Sequence, residues 1–388
     1  MDRATTRMSF PCPVLFGPGV IEQLPNELKR LKAQKPLIVT DTGVAQAGLL
    51  ARVQEVLKKA NVAFAVWDGC TPNPTDVDIE NGLAAYQKDK CDSLIGLGGG
   101  SPLDAAKLVR LRVNHPPPLS RYDDATGGDQ YVTANVPPMI SIPTTAGTGS
   151  EVGRSGVVTL PDTGRKTVIF SPYLIAGAAI CDPELTLGLP PGPTAATGMD
   201  AYTHCLEAYV AKGLHPFADA VALDGLSRVN ANLVRAVKNG KTDLDARGEM
   251  MIAAMEGALA FQKGLGAAHS LAHALTPIAG IHHGLANALC LPAVLEYNLP
   301  TTTERMARAA VAIGSDPNMQ EGALAKRLVE RTRALIEESG IKMGLKNHGV
   351  TEAMLPKIAD KAFVDACHQL NPRPCTRDDL LHIAQAAM

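Results

Sequence analysis

The stretch DSLIGLGGGSPLDAAKLVRLRV, Asp92–Val113, changes its periodicity once, and that change decides the architecture. It opens as a short apolar β-run that passes into three consecutive glycines, Gly98 to Gly100. Ser101 then offers a helix cap and Pro102 a first helical residue, and SPLDAAKLVRLRV carries a helical pattern. At such a turn the unpaired backbone N–H groups would face a pyrophosphate, and the missing side chains would let it come close. The run is neither G-x-G-x-x-G nor a Walker P-loop, because Lys107 lies too far along. Taken alone it reads equally well as a tight strand–helix turn.

The same alternation repeats on either side. KPLIVTDTGV and VAFAVWD are β-runs, each followed by a helical pattern (QAGLLARVQEVLKKA and DVDIENGLAAYQKDKC), and PPMISIPTT is the next strand. Strands separated by helices of this length predict βαβ units and a parallel sheet covered on both faces. After residue 150 the rhythm changes. RSGVVTLPDTGRKTVIF reads as two strands around a turn at Asp162 and Gly164, and LIAGAAICD holds one more. A proline- and glycine-rich passage follows, and beyond Pro190–Gly192 the patterns are helical almost to the end. The expected organisation is an α/β dinucleotide-binding domain over 1–190 and an all-α domain over 191–388.

Composition narrows the function classes. The 388 residues are 46% hydrophobic and 20% charged with a formal net charge of −2, which describes a globular protein with ample core. No basic block points to nucleic acid. No apolar run is long enough for a signal peptide or a membrane span, and none of the eight cysteines has C-x-x-C spacing. Reduced thiols and a cytoplasmic location are expected.

Two further loops strengthen the nucleotide reading. PTTAGTGSEVGR, Pro143–Arg154, follows a strand and brings hydroxyls at Thr144, Thr145, Thr148 and Ser150. TPNPT, Thr71–Thr75, offers a third loop. Asp41 ends a strand in LIVTDTG. Its carboxylate could accept hydrogen bonds from a ribose and would repel a 2′-phosphate, favouring NAD over NADP, although nearby lysines could offset that repulsion. A helix cap is the structural alternative for Asp41.

The second half carries metal-binding side chains. Asp200 and His204 are four residues apart in a helical pattern, as are His269 and His273 in LGAAHSLAHAL. That later helix is expected to stop near Pro277, with His282 and His283 opening the next segment. An aspartate with three histidines suits a divalent ion, and spacing leaves open which three, and iron or zinc. A nicotinamide cofactor in one half and a Lewis acid in the other suit alcohol oxidation.

The chain resembles the iron-containing (group III) alcohol dehydrogenases along essentially its whole length. The likeness is carried, in order, by FGPGVI, GGGSPLDAAK, IPTTAGTGSEV, AATGMDAYTHCLEAY, KGLGAAHSLAHAL, IHHGLANALCLPAVLEYN and NPRPCT. It implies an α/β nucleotide domain joined to an all-helical metal domain, the fold shared with dehydroquinate synthase, with the active site between them. It implies metal ligands at Asp200, His204, His269 and His283, a proton-transfer role for His273, and no site role for His282. It implies cofactor contacts from Asp41, Asn73, Gly99, Gly100, Ser101, Thr144, Thr145, Thr148 and Lys166. The usual metal is Fe²⁺, with Zn²⁺ in some members, and dimers or larger homo-oligomers are usual.

Departures from the common pattern speak to the substrate. In ALAFQKGLGAAH the usual aromatic position falls on Ala260, and Lys263 stands where a small residue is common. Arg154 follows Glu151 by three residues in EVGRSGVV. These departures are similar to the branch containing 4-hydroxybutyrate dehydrogenases. A hydroxy acid needs its carboxylate anchored, and Arg154 or Lys263 could supply the cation, with Gln262 as a polar contact. A surface salt bridge or a helix-end charge is the competing role for each cation. A broad primary alcohol or 1,3-propanediol dehydrogenase is the main alternative. A maleylacetate reductase, which can lack the metal, is disfavoured by the full ligand set, and glycerol dehydrogenase or dehydroquinate synthase chemistry by TTAGTGSE. A non-enzymatic binding protein would tolerate broken ligand or nucleotide motifs, and none is broken.

Overall fold

The structure is a computed structural model that describes residues 11–160 and 165–388. The Asp162–Gly164 turn lies outside the described residues. Contacts divide the chain into two compact units. One runs to Thr145 and resumes over Gly149–Gly188. The other is Leu189–Met388 with Ala146–Thr148, so the break falls just ahead of the expected 190/191, and three residues of the threonine–glycine loop group with the helices.

The first unit is built on a six-stranded parallel sheet of β1 (Val14–Phe16), β2 (Pro36–Val39), β3 (Ala65–Trp67), β4 (Ser93–Gly98), β5 (Met139–Pro143) and β8 (Ala178–Cys181), in the order β1-β8-β5-β4-β2-β3. An antiparallel hairpin of β6 (Ser155–Leu160) and β7 (Arg165–Phe170) stands apart from it. The central strands are buried on both faces, which explains their continuous apolar runs. Leu37, Val39 and Leu94 pack on one side with Ala105, Ala106 and Val109, and Ile38, Ile95 and Ile142 on the other with Val53 and Leu57. The covering helices are α1 (Leu24–Arg30), α2 (Thr42–Gln46), α3 (Leu49–Lys59), α4 (Asp76–Lys88) and α5 (Gly100–Asn114). Strand β1 escaped the sequence reading because three residues carry no measurable period.

The glycine run forms a close strand–helix turn. Gly98 has φ of 144°, and a Cβ there would sit 2.7 Å from Pro102 Cγ. Helix α5 begins at Gly100, with Gly99 at the cap position and no side-chain cap. Ser101 therefore lies inside the first turn rather than capping it.

The second unit contains α6 (Pro191–Val210), α7 (Pro216–Asn239), α8 (Leu244–Ala260), α9 (Ala267–Ala279), α10 (His283–Ala312), α11 (Glu321–Glu338), α12 (Leu355–Phe363) and α13 (Arg377–Ala386). Helix α6 is buried almost throughout and packs on α7, α8 and α10, so polar side chains along it must find partners inside the core. Helix α9 continues two residues past Pro277, which is exposed, and ends at Gly280 with φ of 69°. All eight cysteines are free thiols, and among the described residues no helix is long and apolar enough to cross a membrane.

One partly buried acidic cluster should make the second unit pH-sensitive. Arg228 donates to Asp224 at 2.6 Å and to Glu249 at 2.5 Å, and reaches Glu256 at 3.4 Å. Burial, then the hydrogen bond and charge of Asp224, push the Glu256 carboxyl up to about 8. A carboxyl raised in the folded state binds its proton more tightly there than when unfolded, so its stabilisation is complete at acid pH and is lost as pH rises from about 4.5 toward 8. Glu256→Gln should flatten this loss. Between pH 5 and pH 9 the wild type should lose several degrees of Tm more than the variant, from an effect on the order of 3 kcal/mol. Parallel Tm–pH curves for the two proteins would refute this assignment.

Candidate functional site

In the first unit Thr144 and Thr145, Gly99, Gly100 and Ser101, and Asp41 follow the carboxyl ends of the neighbouring strands β5, β4 and β2. This is where an open α/β sheet offers its crevice, and the chain reverses its direction of growth between β2 and β4. Thr144 N donates to Gly98 O at 2.9 Å, tying the β5 loop to the glycine turn. Gly99 lies against Thr145, whose Oγ1 a Cβ at Gly99 would meet at 3.3 Å. The Asn73 backbone, left-handed with φ of 56°, donates to Ser101 Oγ at 3.3 Å, and Lys166 Nζ donates to Asn73 Oδ1 at 3.3 Å. Asn73, Ser101 and Lys166 are thus brought together from three separate loops and strands. Asp41 caps α2, its Oδ1 accepting from Val44 N at 2.8 Å, so the structural role is present. Thr148 belongs to Ala146–Thr148 and groups with the helical unit.

Lys107, unremarkable in sequence, is fully buried. Its Nζ donates to Ser150 Oγ at 2.7 Å and to Ser155 O at 2.9 Å, and Ser150 Oγ donates to Asp104 at 2.6 Å. These bonds fasten the end of the second glycine loop to α5. Arg154 follows that loop, with its guanidinium 4.7 Å above the Phe170 ring.

In the helical unit, α6 contributes Asp200 and His204, α9 contributes His269 and His273, and α10 begins at His283. One donor atom from each of Asp200, His269 and His283 lies within 4.8 Å of the others, and Asp200 Oδ1 is 3.6 Å from His283 Nε2. His204 is adjacent but oriented differently. The i,i+4 spacing places it on the Asp200 face of α6, yet its ring stacks on His269 with centroids 4.7 Å apart and meets the edge of Phe261 at 5.2 Å. Burial pushes His204 down to about 4, so the ring is neutral and keeps a lone pair. His282 is exposed and precedes α10.

The residues fit a divalent ion by the chemistry of their donors. Glu207, one turn beyond His204, is buried and receives a hydrogen bond from His269 Nδ1 at 2.6 Å. That contact puts the ring proton on Nδ1 and leaves the Nε2 lone pair to face Asp200 and His283. Glu207 also accepts from Gly266 N at 3.1 Å and Ala268 N at 2.7 Å. It therefore satisfies the first turn of α9, which has no side-chain cap of its own. A carboxylate and neutral imidazoles suit Fe²⁺ or Zn²⁺.

His273 stacks on His283 with ring centroids 5.1 Å apart but contributes no donor atom to this cluster. Its Nδ1 donates to Asp365 at 2.8 Å, and the same carboxylate accepts from Ser270 Oγ at 2.8 Å and Cys367 N at 2.9 Å. Burial raises the Asp365 carboxyl, but the His273 hydrogen bond and charge, with the other donors, outweigh it and hold the group well below the usual carboxylate range. Burial also keeps the nearby Cys367 thiol protonated. Sequence spacing could not find Asp365, 92 residues from its partner. Glu207 carried one local hint: it extends the i, i+4, i+7 face of α6 that holds Asp200 and His204.

Lys263 is not placed as a substrate anchor. Its buried ammonium donates to Asp219 at 2.6 Å and to Tyr209 O at 2.9 Å, and Arg305 pairs with the same aspartate at 2.8 Å. A salt bridge holds this residue, though a buried one rather than the surface pair or helix-end charge expected as its alternative. Gln262 turns its amide to Leu259 O at 3.1 Å.

Residues 11–183 match the family described as iron-containing alcohol dehydrogenase, and residues 194–388 match the Fe-containing alcohol dehydrogenase family, C-terminal. The chain belongs to the iron-containing alcohol dehydrogenase family. The 4-hydroxybutyrate dehydrogenase of Cupriavidus necator is 41% identical over 95% of this chain and 96% of its own length. The NAD-dependent methanol dehydrogenase of Bacillus methanolicus is 34% identical over 99% of this chain and 100% of its own. A crystal structure of a 1,3-propanediol oxidoreductase superposes with a TM-score of 0.94 at 34% identity, covering 99% of this chain and 100% of that one. The protein is an iron-containing alcohol dehydrogenase, an oxidoreductase of the family that works with iron and NAD(H) on small alcohols.

Proposed function

We propose that this enzyme interconverts 4-hydroxybutyrate and succinate semialdehyde, with NAD(H) carrying the hydride. The observation that carries the reading is the 41% identity, over nearly the whole of both chains, to a 4-hydroxybutyrate dehydrogenase. Arg154 is its physical counterpart on this chain. Its guanidinium carbon lies 4.7 Å from the centroid of the Phe170 ring, and an arginine can meet a carboxylate through two hydrogen bonds.

Asp200, His204, His269 and His283 would hold the iron, with a side-chain rotation bringing His204 into the set. Asp41, Asn73, Gly99, Gly100, Ser101, Thr144, Thr145, Thr148 and Lys166 would hold the dinucleotide. When bound, the ion supplies a Lewis acid that makes the substrate hydroxyl more acidic, and the nicotinamide accepts a hydride from the same carbon. His273 keeps its own proton on Nδ1 against Asp365, so Nε2 is its basic face. With a side chain 24% exposed, His273 can pass the proton released from the alcohol to water.

The test is a panel of 4-hydroxybutyrate, 1-butanol, 1,3-propanediol and ethanol, with NAD and with NADP. 4-Hydroxybutyrate with NAD should give the highest kcat/KM. Arg154→Ala should lower kcat/KM for the acid about 30-fold or more, the loss of a charged hydrogen-bonded contact, and change that for butanol little. Lys263→Ala should lower stability without discriminating between acid and neutral alcohol. Equal kcat/KM for butanol and 4-hydroxybutyrate in the wild type would defeat the reading and favour a broad primary alcohol or diol dehydrogenase.

A further inference from the structure

Asn287 lies one turn into α10, four residues after His283, and is fully buried. Its amide nitrogen is 2.8 Å from Asp200 Oδ1, 3.2 Å from His269 Nε2 and 3.3 Å from His283 Nε2. One side chain therefore touches a donor atom of all three clustered residues. Its carbonyl oxygen, Oδ1, is buried with no hydrogen-bond partner. The reverse orientation of the amide would press that oxygen against a carboxylate oxygen and the His269 lone pair, so the N–H₂ end belongs on this side.

We propose that Asn287 is a positioning residue of the metal centre, which donates to the Asp200 carboxylate and fixes the orientation in which Asp200 meets the ion. The proposal rests on the reading of Asp200, His269 and His283 as iron ligands. An amide has two hydrogens and here meets three acceptors. Imidazole nitrogens whose lone pairs turn to a cation no longer accept, and the carboxylate, which has lone pairs left over, retains the hydrogen bond. Without that donor a buried carboxylate can rotate between presenting one oxygen and presenting two, and each added arrangement weakens a site built for one. The unsatisfied carbonyl supports a functional role. A buried acceptor without a partner costs stability, and an apolar side chain of similar volume would not carry that cost at Oδ1.

Two variants separate positioning from packing. Asn287→Leu keeps the volume and removes the donor, and Asn287→Ala removes both. Zn²⁺ affinity is measured by competition with a chelator, Co²⁺-substituted enzyme is compared by visible absorption, and Tm is recorded after metal stripping. Both variants should bind Zn²⁺ at least 10-fold more weakly than the wild type, and the Co²⁺ spectrum of each should change. The stripped Asn287→Leu protein should melt above the stripped Asn287→Ala protein, because both lose the donor to Asp200 but only alanine also leaves a cavity. Affinities within twofold of wild type with an unchanged Co²⁺ spectrum would overturn the proposal, and so would weakened binding in alanine alone, which would assign the residue to packing. A wild type that binds neither ion would instead remove the metal reading beneath it.

Discussion

His269→Ala should lose metal and turnover together, with kcat falling by about three orders of magnitude or more. The histidine is 1% exposed, shares a donor cluster with Asp200 and His283, and is held by Glu207 through Nδ1. Alanine removes the Nε2 donor and leaves the Glu207 carboxylate to the backbone of α9. His273→Ala should behave differently. Its ring is bonded to Asp365 and lies outside the ligand cluster, so the variant should keep its metal content and lose ~10²- to 10⁴-fold in rate, the usual share of a general acid–base group. Metal analysis beside kcat distinguishes the two variants. A metal-free His273→Ala protein, or a fully loaded His269→Ala protein, would show that the two roles had been exchanged.

Glu207→Ala carries the second large effect, on stability and metal affinity at once. The carboxylate is 3% exposed and bridges α6 to the start of α9. Alanine would strand buried N–H groups at Gly266 and Ala268 and release the His269 ring. A cost of ~3–5 kcal/mol follows from leaving several buried donors unsatisfied, or a fall in Tm of ~6–20 °C for a unit of this size. Metal affinity should weaken ~10- to 100-fold because the imidazole loses both its tautomer and its orientation. Glu207→Gln keeps an acceptor oxygen and should recover much of the stability but less of the affinity. If Glu207→Ala holds the metal as tightly as the wild type, the carboxylate is only a helix cap.

The two carboxylates, Glu207 and Asp365, do for His269 and His273 what spacing could not foretell. In sequence these histidines form an i,i+4 pair that looks like a joint metal site. Each Nδ1 proton is assigned by a different acid, from α6 in one case and from the segment after α12 in the other. The outcome is one imidazole turned to the ligand cluster and one tied to Asp365 outside it. Lys263 shows the converse. Its unusual position suggested a substrate anchor, but Asp219, 44 residues earlier in the chain, lies close enough to bind its ammonium.

What the sequence by itself determined is what short-range physics controls. Period-two and unbroken apolar runs alternating with helical spacing specified the parallel sheet, and Gly98 and its neighbours specified a turn no bulkier residue would fit. Four-residue spacing put Asp200 with His204 and His269 with His273 on common helix faces. Which of those side chains share a ligand cluster, which nitrogen each ring presents, and whether a cation meets a substrate or an internal aspartate were decided only by the tertiary structure. A buried polar group takes whichever partner packing brings within about 3 Å. For Glu207, Asn287 and Asp365 those partners lie tens of residues away along the chain.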